Sequence, residues 1–547
     1  MAMAGMRWHL AGRGCGGVVA GVAAAFMRLM TRNFPMGRTA VRVAWLLVSL
    51  AAMVSCAAPG AGKPKADSRA VEAPAGGLAG SLTSWSAARG GQSGIAVLEG
   101  NREAFADRVM LADRAQRTLD IQYYIWSPDT IGLLLTERVF RAAERGVRVR
   151  FLIDDLNLKI RDGTMGVLAS HPNVEIRLFN PQRLRSFRRL DLLLNFARLN
   201  YRMHNKMMIM DNAAAVIGGR NIADEYFGLH GGHNMRDLDL LATGPVVREA
   251  SRVFDDFWNS AAAVPVENVA KVSATPAAMR RAAGELRRGF RPKEDDWPLR
   301  VDEAAVGARV ASLPRVLVPA QAELLHDGIG SFRGKDRGHM LVSRLENELR
   351  TAEQSLDVEA AYFVLRRRDV AAGEVMLKRN VKVRVVTNSL ASTNQPAAHS
   401  GHANRRREFL RTGAGLYEFR PRSEAGLRQV ADGRDGARTG IHTKAMVIDG
   451  RKSFVGSFNL DPRSANINTE VGLLVESGEV SRQVGEFLKE ATAPENAWRV
   501  TLDERGREVW RGWDGGKERF WRHEPQTSLS ERIRCRFFRL LPIESLL

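Results

Sequence analysis

The run 118–126 opens on Leu119-Asp120 and is rich in β-branched and aromatic side chains, a pattern that suits a buried strand. Over 129–145 the apolar period changes. Ile131, Leu134, Leu135, Val139 and Ala142 fall on one helical face, with Asp129 or Thr130 able to cap its start and Gly146 its end. Residues 147–153 return to a strand pattern. The same succession then recurs: a Leu-Asp strand at 355–363, a helix at 369–379 stopped by Asn380, and a strand at 381–386. Each series continues with a further strand, 174–179 and 416–419, before a His-x-Lys tripeptide. Matching positions lie 237 residues apart at Leu119 and Leu356, 234 at Gly146 and Asn380, and 238 at His204 and His442. A near-constant offset across four elements means two copies of one β-α-β unit. The expected fold is α/β: two repeats side by side as a pseudo-dimer with a shared cleft.

Outside the repeats the pattern weakens. The first copy is placed at 95–262 and the second at 316–497, joined by an Ala-, Arg- and Pro-rich linker at 263–315 and followed by a tail at 498–547. Near the amino terminus, residues 43–54 are apolar, preceded by Arg38 and Arg42. That run is shorter than the roughly 20 residues a bilayer span needs, and it has the length and positive flank of an export signal. Met53-Val54-Ser55-Cys56 resembles a bacterial lipobox, which implies lipidation at Cys56 and a lipoprotein of the cell envelope facing the periplasm. Residues 36–56 are a complete signal by themselves, so translation is expected to start at Met36. The Ala-, Gly-, Ser- and Pro-rich stretch 57–94 is expected to be a flexible tether.

Charge narrows the partners. The net charge is +20, and a surface that basic seeks polyanions: nucleic acid, anionic lipid or phosphate-bearing substrates. The three cysteines, Cys15, Cys56 and Cys535, suggest neither a disulfide framework nor a zinc site.

The chemistry lies in the matched motifs. The first copy reads His204-x-Lys206, Asp211, Gly218-Gly219-x-Asn221; the second reads His442-x-Lys444, Asp449, Gly456-Ser457-x-Asn459, with identical spacing. On a strand, His and Lys two residues apart share a face. Two histidines across a cleft can divide the work on one phosphodiester, one attacking phosphorus and the other protonating the leaving alkoxide. Lys206, Lys444, Asn221, Ser457 and Asn459 would hold the phosphoryl oxygens, so no metal or other cofactor is required.

These residues resemble the phospholipase D superfamily from about residue 95 to the carboxy terminus. The resemblance implies mixed sheets, a covalent phosphohistidine on His204, His442 as general acid, and Asp237 and Glu470 as the carboxylates that orient the histidines. Asp211 and Asp449 complete the catalytic motifs and are expected to stabilise the site rather than touch substrate. Arg202-Met-His-Asn-Lys206, Arg236-Asp-Leu-Asp239, 455–464, Asn468-Thr-Glu470 and Leu541-Pro-Ile-Glu544 look like the bacterial cardiolipin synthase C branch. That implies transfer of a phosphatidyl group to make cardiolipin from phosphatidylglycerol and a second phospholipid such as phosphatidylethanolamine. Hydrolysis to phosphatidic acid is the alternative with the same residues. A nuclease of the superfamily and a non-catalytic lipid-binding lipoprotein are less favoured, and no nucleic-acid partner is expected. The chain departs from the branch at Tyr201, His402 and Arg405, which weakens the identity of the acceptor. His399 is read either as reaching the cleft or as a solvated loop residue. Basic amphipathic stretches at 183–200 and around 532–541 suit an anionic membrane surface, or else cap the core. A small membrane partner protein is left open.

Overall fold

The computed structural model describes residues 65–269, 300–334, 340–430, 436–541 and 543–546, with the single positions 275, 277 and 281. The signal, the lipobox at Cys56 and the start at Met36 lie outside the described residues. Residues 182–199 are a unit apart from the rest of the described chain. Its short helices Arg188–Leu194 and Phe196–Leu199 leave Phe187, Leu193 and Phe196 exposed, and the Asp191 carboxylate accepts the Arg183 N–H at 2.6 Å.

The remaining chain is the α/β body. The first copy holds Ser93–Leu98 (β1), Thr118–Tyr123 (β2), Arg148–Asp154 (β3), Val174–Phe179 (β4), Met207–Met210 (β5), Ala214–Gly218 (β6), His233–Arg236 (β7), Asp239–Thr243 (β8) and Ala263–Pro265 (β9). The second holds Val318–His326 (β10), Ser355–Ala360 (β11), Lys382–Asn388 (β12), Gly415–Phe419 (β13), Arg438–Ile441 (β14), Lys444–Ile448 (β15), Lys452–Gly456 (β16), Val471–Glu476 (β17), Ala497–Leu502 (β18), Glu508–Asp514 (β19) and Lys517–Trp521 (β20). In each copy three strands run parallel, β2-β3-β4 and β11-β12-β13, and the strand after His-x-Lys pairs antiparallel with the first of them. The sheets are mixed, as the resemblance implied. β1 and β10 join them: Ser93 to Ile95 pair antiparallel with Val318 to Ala320. The inner faces of both sheets, from Ile209 and Ile217 to Val447 and Val455, then pack into one buried cluster with helices Pro245–Asn259 and Gly478–Ala491. That shared core makes the repeats a pseudo-dimer.

The helices follow the sequence pattern. Thr130–Glu144 starts where the Asp129 carboxylate accepts the Gly132 N–H and ends before Gly146, at φ 94°. Arg367–Lys378 ends before Asn380, at φ 65°.

Three boundaries need correction. Residues 65–94 are not a tether. Ala70 N–H donates to Asp255 at 2.9 Å and Ser68 N–H to Asn259 at 3.1 Å, and helix Gly77–Ala87 buries Leu78, Leu82 and Trp85. This backbone finds its partners on helix Pro245–Asn259. Within the expected linker, Glu303–Val316 is a helix that buries Val306 and Leu313 and pairs Arg309 with Asp107. The tail begins as sheet: β18 pairs with β13 and is extended by β19 and β20, and only Leu529–Arg539 is a basic amphipathic helix.

Candidate active site

Each His-x-Lys leads into a strand, since β5 starts at Met207, just after Lys206, and β15 at Lys444 itself. The lead-in segment is gripped by the other copy. His204 N–H donates to the Thr469 carbonyl at 2.9 Å, and Thr469 N–H to that of Arg202 at 3.0 Å. On the opposite side β14 runs parallel to β7, and His442 N–H donates to the Arg236 carbonyl at 2.7 Å. Thr469 precedes Glu470 and Arg236 precedes Asp237. The backbone pairing therefore delivers each carboxylate to the other copy's histidine. His204 Nδ1 lies 2.8 Å from Glu470 Oε2, and His442 Nδ1 lies 2.5 Å from Asp237 Oδ2. A carboxylate at Nδ1 keeps the proton there and leaves the Nε2 lone pair for chemistry.

The crossing is invisible in the sequence, because each carboxylate sits downstream of its own copy's motif. Its surroundings differ between the halves. Gly219 is glycine because a Cβ there would fall 2.3 Å from Asp237 Oδ1. Its counterpart Ser457 donates to Glu470 at 2.5 Å and accepts the Val471 N–H at 3.0 Å. The expectation that Ser457 binds phosphate gives way to this: both functions of its hydroxyl are engaged in holding Glu470. Asp327 braces the same residue, with its N–H on the Glu470 carbonyl at 3.0 Å and its carboxylate on the Glu470 N–H at 3.1 Å.

All four motif side chains are buried and feel one another across the copies. Burial first, then the nearby lysines, hold His204 at about 4 against the pull of Glu470. Burial and Lys444 hold His442 at about 3 against Asp237. Both imidazoles are thus neutral in the free site. Burial lowers Lys206 to about 7 and Lys444 to about 8, against the attraction of Glu470 and Asp237. Each ammonium donates to the carbonyl of its own motif histidine, Lys206 at 2.6 Å. Two buried lysines, one from each copy, make a site suited to an anion.

Asp211 and Asp449 stand away from this chemistry. Asp211 accepts N–H groups of Gln116, Arg117 and Thr118 at 2.7–2.8 Å, and Asp449 those of Glu353, Gln354 and Ser355. Each ties the turn after a motif strand to the start of the first parallel strand of its copy, β2 or β11. Asn221 accepts the Ile125 N–H at 3.3 Å, whereas the side-chain oxygen of buried Asn459 has no hydrogen-bond partner among the described residues.

Sequence reasoning missed the aromatic walls. Tyr124 stands edge-on to His204 at 4.9 Å and Tyr226 to His442 at 4.8 Å. Both come from the first copy, so comparing the repeats gives no signal for them. It also missed Asp154, which pairs with Arg202 at 2.6 Å and accepts the Met203 N–H at 3.0 Å just before His204.

His399 is not solvated. It is buried on helix Pro396–Arg411, 3.4 Å from Glu524 and beside His402. His399, Glu418 and Glu524 place possible metal-ligating atoms within 4.8 Å of one another. Arg406 already bonds both carboxylates, at 2.8 and 2.9 Å, so the set is a neutralised ion-pair network that fits a metal poorly. Arg405 pairs with Glu408, and Tyr201 packs on Phe332.

The family model described as "Cardiolipin synthase, PLD-like domain" matches residues 109–258 and 345–491, one segment in each copy. Cardiolipin synthase C of Escherichia coli is 36% identical over 467 residues, covering 84% of this chain and 97% of its own. A cardiolipin synthase of Geobacillus kaustophilus is 26% identical over 404 residues, covering 73% of this chain and 66% of its own. The crystal structure of a phosphatidylserine synthase from Haemophilus influenzae shares the fold, with a TM-score of 0.52 at 13% identity over 85% of this chain and all of that one. On the family match and the similarity to the E. coli protein, the chain belongs to the cardiolipin synthase family of phospholipase-D-like enzymes.

Proposed function

We propose that the protein is a phosphatidyltransferase that makes cardiolipin from phosphatidylglycerol and a second phospholipid. The observation that carries this reading is the pair of crossed His–carboxylate dyads over two buried lysines. Lys206, Lys444 and Asn459 hold the phosphoryl oxygens, and Asn221 lies beside them. The His204 Nε2 lone pair attacks phosphorus. The P–O bond to the headgroup breaks, and His442 gives a proton from Nε2 to the departing alkoxide. The bound phosphodiester supplies the negative charge that raises the proton affinity of His442 to that end. A glycerol hydroxyl of phosphatidylglycerol then returns its proton to His442 as its oxygen displaces His204 from phosphorus. Asp237 and Glu470 orient the imidazoles, Ser457 positions Glu470, and Asp211 and Asp449 hold the motif turns.

The enzyme works at a membrane surface. Leu529–Arg539 exposes Leu529, Ile533 and Phe537, continued by Leu540 and Leu541, beside Arg532, Arg534, Arg536 and Arg539. An exposed apolar face with a basic flank suits an anionic interface better than a core cap. With Cys56 read as the lipidation site, the reading tethers the protein to a bacterial envelope membrane, facing the periplasm. No helix among the described residues is long and apolar enough to cross a membrane.

The test is product analysis by mass spectrometry after incubation with phosphatidylglycerol, alone and with phosphatidylethanolamine. Cardiolipin, lost in His204→Ala and His442→Ala, is the expected result. Phosphatidic acid alone would make the protein a hydrolase instead.

A further inference from the structure

The two copies differ on one face. In the first, helices Asn101–Arg114 and Thr130–Glu144 pack on each other, with Arg138 bonding Asp113 at 2.8 Å. Helix Glu303–Val316 lies over them, burying Val306 and Leu313, and Arg138 also bonds the Val301 carbonyl just before it. Their counterparts in the second copy are Met340–Arg350 and Arg367–Lys378. A cavity of about 620 Å³ lies between these two, reached also by Phe409 of helix Pro396–Arg411 and Ala465 of helix Pro462–Asn466.

The lining is mainly apolar, with Leu345, Phe363, Met376, Phe409 and Met446 contributing, and the cavity reaches the surface at Val375, which is 58% exposed. One end is closed where Arg379 donates to the Arg350 and Ala352 carbonyls. The other end is formed by Phe458, Leu460 and Asp461, on the turn that also carries Ser457 and Asn459. Phe363 bridges to Leu460 there, and buried Asp461 sits close enough to Lys444 and Glu470 to act on their charge. The space thus runs beside helix Arg367–Lys378, whose 12 residues span about 18 Å, and ends behind the catalytic turn. Arg366 and Arg368 also line it, paired with Asp369 and Glu346.

We infer that this cavity receives one acyl chain of a phospholipid whose phosphate lies at the histidine pair. The inference rests on the phosphatidyltransfer reading. A long, largely apolar slot that ends at the catalytic turn fits a fatty chain whose phosphate lies at the histidines. Its volume falls in the ordinary range for small-molecule sites, roughly 300–1,000 Å³.

The test uses the full chain in mixed micelles with phosphatidylglycerol bearing a photoreactive diazirine on one acyl chain, irradiated and mapped by peptide mass spectrometry. Adducts are expected on Met340–Arg350 and Arg367–Lys378. Most of that labelling should be lost in Gly373→Trp, where nothing stands within 4 Å of an added Cβ, and in Ala372→Phe, with thermal melts confirming folded protein. Adducts confined to Leu529–Arg539, or labelling unchanged in both variants, would overturn the inference and leave the opening to a protein helix. Labelling needs no turnover, so it is judged separately from cardiolipin formation, which tests the underlying reading.

Discussion

The two histidines carry different jobs on nearly the same scaffold, and chemistry can separate them. A leaving group as acidic as p-nitrophenol needs no proton. With a phosphatidyl p-nitrophenyl ester, His442→Ala and Asp237→Ala should still release p-nitrophenol in a burst, whereas His204→Ala and Glu470→Ala should not, falling by about a hundredfold or more. Because the dyads cross, the affected pairs are His204 with Glu470 and His442 with Asp237; a burst lost in Asp237→Ala but kept in Glu470→Ala would contradict that pairing. With that ester, whose leaving group needs no proton from His442, the pH profile of kcat/KM reports the other groups of the free enzyme. His204 must be unprotonated to attack, so activity falls as pH drops through about 4. Lys206 and Lys444 must be protonated to hold phosphate, so activity also falls as pH rises through about 7 to 8. An activity plateau extending above pH 9 would show that the lysines are not the anion site.

At the scale of elements, the aspartates of the motifs act on stability. Asp211 is fully buried and accepts three backbone N–H groups, so Asp211→Ala should cost about 2–4 kcal/mol by thermal or denaturant unfolding. Asp449 makes the same bonds nearer solvent, and Asp449→Ala should cost less. Equal losses would mean that the three N–H groups find water in both places. The tail helix should behave oppositely: Phe537→Ser, at a 58% exposed position, should weaken binding to anionic liposomes while leaving the melting temperature unchanged. Much of this level was legible in the chain. The Leu-Asp strands, the capped helix after Asp129 and the stop at Asn380 follow from local chemistry that a periodic pattern records. Residues 65–94 and 303–316 were misread because their small, polar or proline-rich composition hides long-range bonds to Asp255, Asn259 and Asp107, which no local pattern encodes. Tyr124 and Tyr226 escaped for a related reason: neither has an aromatic counterpart in the second copy.

For the whole molecule, duplication was the most legible feature and exchange between the copies the least. Spacing alone located His204, Lys206, His442 and Lys444, yet only the parallel pairing of β7 with β14 and the Thr469–His204 contact exchange the carboxylates. Neither copy alone holds a complete dyad, so the active unit is the joined pair. Asp237 and Glu470 need no sequence proximity to their histidines once β1 and β10 fuse the sheets. The most direct measurement is to map the covalent intermediate. His442→Ala, reacted with the p-nitrophenyl ester, quenched in denaturant near pH 8 and digested, should carry a phosphatidyl group on His204 and nowhere else. An adduct on the remaining lysines, or none while p-nitrophenol is still released in a burst, would contradict the account.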